Sequence, residues 1–187
     1  MEIKAILTIE GRDQKGQLTF FEKKKANSFV RALIDLLFPH IQQAIFGNGS
    51  QDISNTTRSP AVNTGNFAMN AAAGDVAKGI VVGTGTSAVT ISDYALGTRI
   101  AHGNAASQLS YGAMSFTNPT TSGSTRSFTM ERTFTNNSGS QITITELGLY
   151  MIMGAGAYSH CADRTLYTYA LDNLATVTFR YTVGLTV

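Results

Sequence analysis

The stretch from Leu174 to Val187 constrains the fold more than any other part of the chain. Apolar and polar residues alternate there without interruption from Thr176 onward. Side chains on a β-strand point to opposite faces with a period of two, so this alternation predicts a long strand with one apolar face. Such a strand needs hydrogen-bond partners on at least one side, so the rest of the chain must supply a sheet. The apolar face consists of Val177, Phe179, Tyr181, Val183, Leu185 and Val187.

The same strand raises the question of what covers its edges. Exposed edges in natural proteins usually carry Lys or Pro, and this stretch has neither, only Arg180. We therefore expect either a strand of the same domain or a strand of another subunit beside it. Phe179, Tyr181 and Val183 are the candidate residues for core or subunit packing on this strand.

Further strands are predicted along the C-terminal half, separated by turn residues. Within Gln141–Met151 the apolar face switches around Glu146, which predicts a β-bulge or a strand buried on both faces. Short strands at this spacing are typical of an antiparallel sandwich or barrel. Of the two, we predict that residues 79–187 form a mainly β, antiparallel sandwich or jelly-roll-like domain. The predicted strands before the last one are Leu109–Thr117, Thr125–Asn136, Gln141–Met151 and Thr165–Ala170.

The N-terminal part, residues 1–50, is predicted to form a hairpin followed by one α-helix. Alternation over residues 3–22, interrupted by the turn residues Gly11–Gly16, indicates the hairpin. Asn27 or Ser28 can cap a helix, which Pro39 should kink or break. The apolar residues that follow recur at helical spacing. Its candidate packing or oligomer residues are Phe29, Leu33 and Leu37.

Residues 51–78 show no periodicity and are rich in Ser, Thr, Asn, Gly and Ala. Irregular segments of this length are uncommon inside compact domains. We interpret this one as an extended arm over a neighbouring surface, or else as a poorly ordered linker.

Composition favours a protein that is largely covered by neighbours. Charged residues make up only 14% of the chain and hydrophobic residues 43%, which argues against intrinsic disorder. The net charge of +2 gives no strong field for attracting nucleic acid. From Gly79 onward all bases are arginines, and Lys is depleted and Arg enriched at protein interfaces. Either the second half packs against other subunits, or its composition has drifted.

Cys161 is the single cysteine, so no intrachain disulfide is possible. The N-terminus lacks an apolar signal region, and no run approaches the ~20 apolar residues that span a bilayer. We expect no membrane partner, and a protein that is made and kept in a cytoplasm or that leaves it by lysis or assembly.

Several patterns suggest chemistry, but none specifies it. Gly83, Gly85 and Ala88 fit G-x-G-x-x-A, yet β-branched residues follow where a nucleotide site needs a helix. His160, Cys161 and Asp163 lie close in sequence, but a zinc site needs three or four convergent ligands. A Cys–His nucleophile would also need an orienting group and an oxyanion hole.

Other groups have ordinary structural explanations. Glu131 and Glu146 are expected to meet Arg126 or Arg132 across strands rather than to act as paired catalytic carboxylates. The basic run Lys23–Lys25 could touch nucleic acid, but solvated basic runs are commoner, so direct nucleic-acid binding is not predicted. No catalytic residue, metal or cofactor is predicted. Four tyrosines could form an aromatic patch for carbohydrate or protein, although sheet packing is the default: Tyr150, Tyr158, Tyr167 and Tyr169.

Three runs together resemble virion proteins of tailed bacteriophages, including tail and collar fibre modules and head-decoration-like proteins. The run VGTGTSAVTISDYALGTRI, ending at Ile100, resembles their VGTGTTAPTPSDTAL signature, with Val89 where Pro is common. The run RTFTNNSGSQITITELGLY, ending at Tyr150, resembles the segment that follows it in those proteins. KANSFV, from Lys25, is similar to a segment near their start.

The resemblance implies a non-enzymatic virion structural protein, made in the host cytoplasm. We expect a capsid decoration or cement protein, assembled in many symmetric copies. Its partners would be other copies of itself and other virion proteins such as the major capsid protein. The alternatives are a tail, collar or fibre subunit, and a receptor- or glycan-binding module.

Overall fold

The computed structural model describes residues 3–26, 50–58, 67–117, 120–123, 125–153 and 158–186. All regular secondary structure in these ranges is β. The predicted helix, with Phe29, Leu33 and Leu37, lies outside the described residues. The strands are β1 (Ile3–Arg12), β2 (Leu18–Ala26), β3 (Ser50–Gln51), β4 (Thr57–Arg58), β5 (Gly79–Gly83), β6 (Ser110–Phe116), β7 (Thr120–Ser122), β8 (Thr125–Thr135), β9 (Ile142–Met153), β10 (Tyr158–Leu171) and β11 (Thr176–Thr186).

The strands form three antiparallel sheets. The largest, which we call sheet A, has the order β2-β1-β11-β8-β6, with β7 also paired to β8. Sheet B has the order β10-β9-β5, and β3 and β4 form a separate two-stranded hairpin. The prediction of a mainly β, antiparallel protein is therefore confirmed.

The strand that dominates the sequence lies in the middle of sheet A. Tyr181 of β11 pairs with Leu7 of β1 on one side and with Met130 of β8 on the other. Strands of the same chain therefore flank β11 on both edges. Phe179 and Tyr181 are inaccessible to solvent, and Val183 is half-buried against the core.

The opposite face of β11 is polar and linked to β8 by side-chain hydrogen bonds. The hydroxyls of Thr178 and Thr133 lie 2.8 Å apart. Those of Thr182 and Thr129 lie 3.1 Å apart. The two faces of this strand therefore separate as the alternation predicts.

The N-terminal hairpin is an integral part of sheet A, because β1 pairs with β11 along its whole length. Its strands are longer than the sequence indicated, and they are joined by a tight turn. Asp13 Oδ1 accepts hydrogen bonds from the backbone N–H groups of Lys15 and Gln17, both at 2.9 Å. An aspartate that satisfies its own turn in this way is typical of Asx-turn chemistry.

Sheets A and B contribute to one hydrophobic cluster. Direct hydrogen bonds also join them: Tyr181 Oη of β11 donates to Asp163 Oδ2 of β10 at 2.8 Å. Burial of apolar surface in such a cluster is the dominant favourable contribution to folding. The cluster includes Leu7, Ile9, Phe134 and Phe179 from sheet A, and Ile80, Val82, Ile144 and Leu149 from sheet B.

Strand β9 is buried on both faces from Glu146 to Met151. This is one of the two outcomes that the switch of its apolar face predicted. The irregularities in pairing occur in β10, between Cys161 and Asp163 and again between Leu166 and Tyr169. Extra residues on β10 at these points re-aim its side chains against a regular β9.

The described part of residues 51–78 is attached to the rest of the fold. Residues 52–56 form the turn of the β3–β4 hairpin, where Ile53 N donates to Ser159 O at 3.1 Å. Ala68 bridges to Ile152, and Met114 N donates to Ala71 O at 2.9 Å. Where the structure describes it, this segment is therefore irregular but fastened, rather than a free arm.

Arg132 of β8 completes this attachment. It is 1% exposed and donates to the carbonyl oxygens of Ala72 (3.1 Å), Asp75 (2.6 Å), Lys78 (3.4 Å), Ile80 (3.0 Å) and Gly112 (2.7 Å). Burial lowers the pKa of its guanidinium. Carbonyl dipoles rather than a carboxylate compensate this buried charge, so its geometry fixes the path of residues 72–78.

Candidate functional site

The segment 84–98, which leads away from β5, is held against β9 by one carboxylate. Glu146 Oε1 accepts hydrogen bonds from Gly85 N at 2.9 Å and Thr98 N at 2.8 Å. Its Oε2 accepts from Gly97 N at 3.0 Å. The carboxylate thereby closes the segment into a loop, which we call the clamp loop.

Arg164 of β10 holds the same carboxylate and the middle of the clamp loop. Its Nε donates to Glu146 Oε2 at 2.8 Å. Its terminal nitrogens donate to Asp93 Oδ2 at 2.8 Å and to Ser87 O at 3.0 Å. One buried guanidinium therefore joins two strands of sheet B to two points of the loop.

Asp93 organises the tip. Its carboxylate accepts from Thr90 N at 3.1 Å and from Thr90 Oγ1 at 2.8 Å. Residues 91–97 contain turns and bends but no helical turn. The charge of Asp93 is directed at Thr90 and Arg164, which closes a hydrogen-bonded turn.

We call Glu146, Arg164 and Asp93 the triad. Electrostatic interactions keep all three side chains charged. Burial alone would raise the pKa of Glu146, but three backbone N–H groups and Arg164 outweigh it and hold the pKa below its usual value. The pKa of Asp93 is lowered in the same way against its burial, by Arg164 and Thr90. Although burial opposes it, both carboxylates raise the pKa of Arg164. Each of these charges is paired within the triad or with the backbone of the clamp loop. The triad therefore serves to position the loop.

The glycines of the G-x-G pattern make room for the carboxylate. A β-carbon on Gly83 would lie 2.5 Å from Glu146 Oε1, and one on Gly85 would lie 2.7 Å from Glu146 Cδ. Amides that would face a pyrophosphate in a nucleotide site therefore bind the protein's own carboxylate. This geometry explains the pattern without a ligand.

The far side of the clamp loop is open to solvent. Ile91 is 65% exposed, the highest value among the exposed large hydrophobic residues of the described chain. Residues 84–92 carry no charge. We call residues 86–92 the docking tip, because they combine a fixed backbone with an exposed apolar side chain.

The candidate thiol site does not assemble. His160 and Cys161 lie on β10, which begins before the predicted strand Thr165–Ala170. His160 Nδ1 is 3.2 Å from Gln51 O, and burial lowers the pKa of the ring. Burial raises the pKa of the Cys161 thiol, whose Sγ donates to Asp163 O at 3.2 Å. No group of three His, Cys, Asp or Glu side chains converges on a metal position among the described residues.

Asp163 is a buried carboxyl that sequence reasoning treated only as a neighbour of Cys161. Tyr181 Oη at 2.8 Å and Thr165 Oγ1 at 3.0 Å both donate to its Oδ2. Its Oδ1 has no hydrogen-bond partner within the described ranges. Burial raises its pKa to about 6.

The expected carboxylate pairings are wrong in their partners. Glu131 pairs with Arg180, and Glu146 pairs with Arg164. Arg132 binds carbonyl oxygens, as described above. Arg132 and Arg164 are buried and make their contacts inside the fold. This explains part of the preference for Arg over Lys after Gly79.

The four tyrosines occupy separate environments. Tyr150 is buried, and its Oη accepts a hydrogen bond from Leu96 N at 2.8 Å. Tyr158 lies under the guanidinium of Arg58, at 3.8 Å from the ring centre. Tyr167 Oη donates to Glu22 at 2.6 Å, and Tyr169 packs on Phe20.

We find no match to the chain among protein-family profiles, curated proteins or solved structures. A search of the described residues finds no helix whose length and apolarity suit a bilayer crossing.

Proposed function

We propose that the protein is a non-enzymatic structural component of a tailed-phage virion, specifically a capsid decoration or cement protein present in many symmetric copies. The observation that carries this proposal is the bond between the two main runs of the resemblance. Glu146, in the second run, binds the backbone of Gly85, Gly97 and Thr98, in the first. The two runs form one structural unit, as a shared fold module requires.

The sheets support a jelly-roll-like sandwich as the form of this module. Sheets A and B face one hydrophobic cluster, and Tyr181 and Asp163 join them across it. All pairings within them are antiparallel. An antiparallel sandwich of this kind offers rigid loops on a stable scaffold, which suits a subunit of a shell.

The docking tip supplies the contact. Holding a loop through the buried ion pair of Arg164 and Glu146 costs desolvation free energy, and such pairs are retained for specificity in some proteins. Here they fix an uncharged tip with Ile91 exposed. A preorganised tip loses little entropy on binding, so it suits insertion into an apolar pocket of the major capsid protein or of another copy.

The test is the location and abundance of the chain in purified particles. Cryo-EM of native particles should show its density repeated over the capsid surface. Particles made with Ile91→Ser should contain fewer copies, while Ile6→Ser, a comparably apolar exposed site on β1, should leave the copy number unchanged. Density confined to the tail or collar in few copies would replace the decoration role by a tail, collar or fibre role. Absence from particles would overturn the proposal.

A further inference from the structure

We propose that a cleft between two turns binds a neutral mono- or disaccharide. This inference does not rest on the virion assignment. The cleft lies between the β1–β2 turn and the β10–β11 turn, and its volume is about 320 Å³. That is near the lower end of the roughly 300–1,000 Å³ of ligand pockets. The residues that carry the argument are Asp13, Lys15, Tyr169, Asp172 and Asn173.

The walls of this turn cleft are fixed without a ligand. Asp13 Oδ1 caps its own turn through Lys15 N and Gln17 N. On the other wall, Asp172 Oδ1 accepts from Gln141 Nε2 at 2.6 Å. Asn173 Oδ1 accepts from Gly139 N at 2.9 Å. Each anchor uses one oxygen of the side chain, so the second polar atom of each group is held in place for another partner.

Tyr169 provides a fixed aromatic side chain in the cleft. Its ring packs on Phe20 with centroids 5.2 Å apart at 54°. Its hydroxyl occupies the space where a β-carbon of Gly11 would lie, and it bonds to Thr19. The apolar C–H face of a sugar ring packs well on such a side chain, because aromatic groups combine large apolar area with little freedom.

The free polar atoms match hydroxyl groups. Among the described residues, Lys15 Nζ and Asn173 Nδ2 are donors without a partner, and Asp13 Oδ2 and Asp172 Oδ2 are acceptors without one. Each sugar hydroxyl both donates and accepts, so adjacent hydroxyls can satisfy donors and acceptors on opposite walls. A purely anionic ligand would satisfy only the donors.

The charges of the lining favour an uncharged ligand. Arg12 and Lys15 contribute two positive charges, and Asp13 and Asp172 contribute two negative charges. The Arg12 guanidinium is already bound to Gly16 O at 3.0 Å. Because opposite charges interleave, neither a phosphate nor a cationic group gains a net electrostatic attraction here.

An amide NMR titration of the full chain with a panel of neutral mono- and disaccharides tests the inference. At least one sugar should shift resonances concentrated in residues 12–19 and 169–175. Lys15→Met removes one donor. Asn173→Asp removes another while keeping the acceptor for Gly139 N. Each should weaken binding about tenfold, the effect of one lost hydrogen bond. Lys78→Met, which removes a half-buried lysine outside the cleft, is the control and should bind as the parent does.

Three results would overturn the inference. The first is that no sugar in the panel shifts the cleft resonances at its solubility limit. The second is that inorganic phosphate shifts them while no neutral sugar does. The third is that Lys15→Met and Asn173→Asp bind the sugar as well as Lys78→Met does. Unchanged amide spectra outside the cleft will show that each variant is folded.

Discussion

Arg164 Nε donates to Glu146 Oε2 over 2.8 Å, at a position where the two side chains are only 3% and 0% exposed. Removing one partner leaves the other charge buried. Arg164→Met should therefore lower the free energy of unfolding by about 3–5 kcal/mol in urea denaturation. The control is Arg12→Met, because Arg12 is 47% exposed and 3.8 Å from Glu10. It should cost at most about 1 kcal/mol. Equal losses in the two variants would contradict the role of the triad.

Glycine substitutions test the space around the same carboxylate. Gly85→Ala should displace Glu146 and cost about 1–3 kcal/mol of unfolding free energy, as overpacking does. Gly97→Ala is the matched control, because its β-carbon would meet nothing nearer than 3.5 Å. It should be neutral or slightly stabilising by thermal denaturation. If Gly97→Ala were the more damaging change, the assigned position of Glu146 would be incorrect.

The raised pKa of the buried Asp163 carboxyl should make the protein less stable as the pH rises. Because burial raises its pKa from 3.8 to about 6, the folded protein retains a proton between these values that the unfolded chain has lost. Raising the pH through this window therefore reduces stability. The stability of Asp163→Asn relative to the parent should improve by about 2 kcal/mol from pH ~4 to pH ~7, at 1.36 kcal/mol per pKa unit. A pH-independent difference in denaturation midpoints would argue against a buried, titrating carboxyl.

Glu146 predicts the opposite trend. Its pKa is held below 4.5, so the stability it contributes is present above that value and is lost as the pH falls further. Glu146→Gln should therefore be less stable than the parent at neutral pH, with a gap that narrows on acidification. Denaturation series of the two variants, run side by side, distinguish these signs. A gap for Glu146→Gln that widens in acid would be inconsistent with the hydrogen bonds described here.

Strand β11 provides a test of face assignment. Phe179→Ala and Tyr181→Ala remove side chains with no solvent exposure and should each cost about 3–5 kcal/mol. Thr178→Ala and Thr182→Ala lose one hydrogen bond each, on the polar face, and should cost about 0.5–1.5 kcal/mol. Soluble yield and denaturation of the four proteins provide the comparison. Threonine variants that fail while the aromatic variants fold would reverse the faces.

Arg132→Met should release residues 72–78 while leaving most of sheet A in place. The guanidinium binds Ala72 O and Asp75 O, and methionine cannot donate to either. Limited proteolysis should therefore cut this segment faster in the variant than in the parent. Arg180→Met, on the outer face of sheet A, is the control and should leave the cleavage rate unchanged. Equal cleavage of parent and Arg132→Met would show that other contacts hold the segment.

Period-two alternation was sufficient to predict much of sheet A. The side chains of Val177, Phe179 and Tyr181 are all buried, because a strand between two neighbours must place one face in the core. The hairpin was also predicted, but its pairing with β11 was not. Pairing partners depend on contacts across the whole chain, which local patterning does not encode.

The clamp loop was harder to predict, because its stability comes from residues far apart in sequence. In the sequence, Gly83 and Gly85 fit a nucleotide-binding pattern, and Glu146 was expected to pair with an arginine across strands. Nothing local indicated that Arg164 would join them, since β10 was expected to start at Thr165. Two β-bulges in β10 direct its side chains, and such irregularities follow from tertiary packing.

The position of β11 between β1 and β8 also sets the timing of folding. Ile9 can pair with Phe179 only after Phe179 emerges from the ribosome, and all the strands between β1 and β11 precede it in the chain. Contacts between distant parts of a chain slow folding and leave unpaired edges exposed meanwhile. The edge strand β2 carries the basic run Lys23–Lys25. Charged side chains on an edge discourage strand pairing between chains, so this run protects the nascent chain until β11 is in place. The completion of sheet A therefore has to follow the synthesis of β11, the strand at its centre.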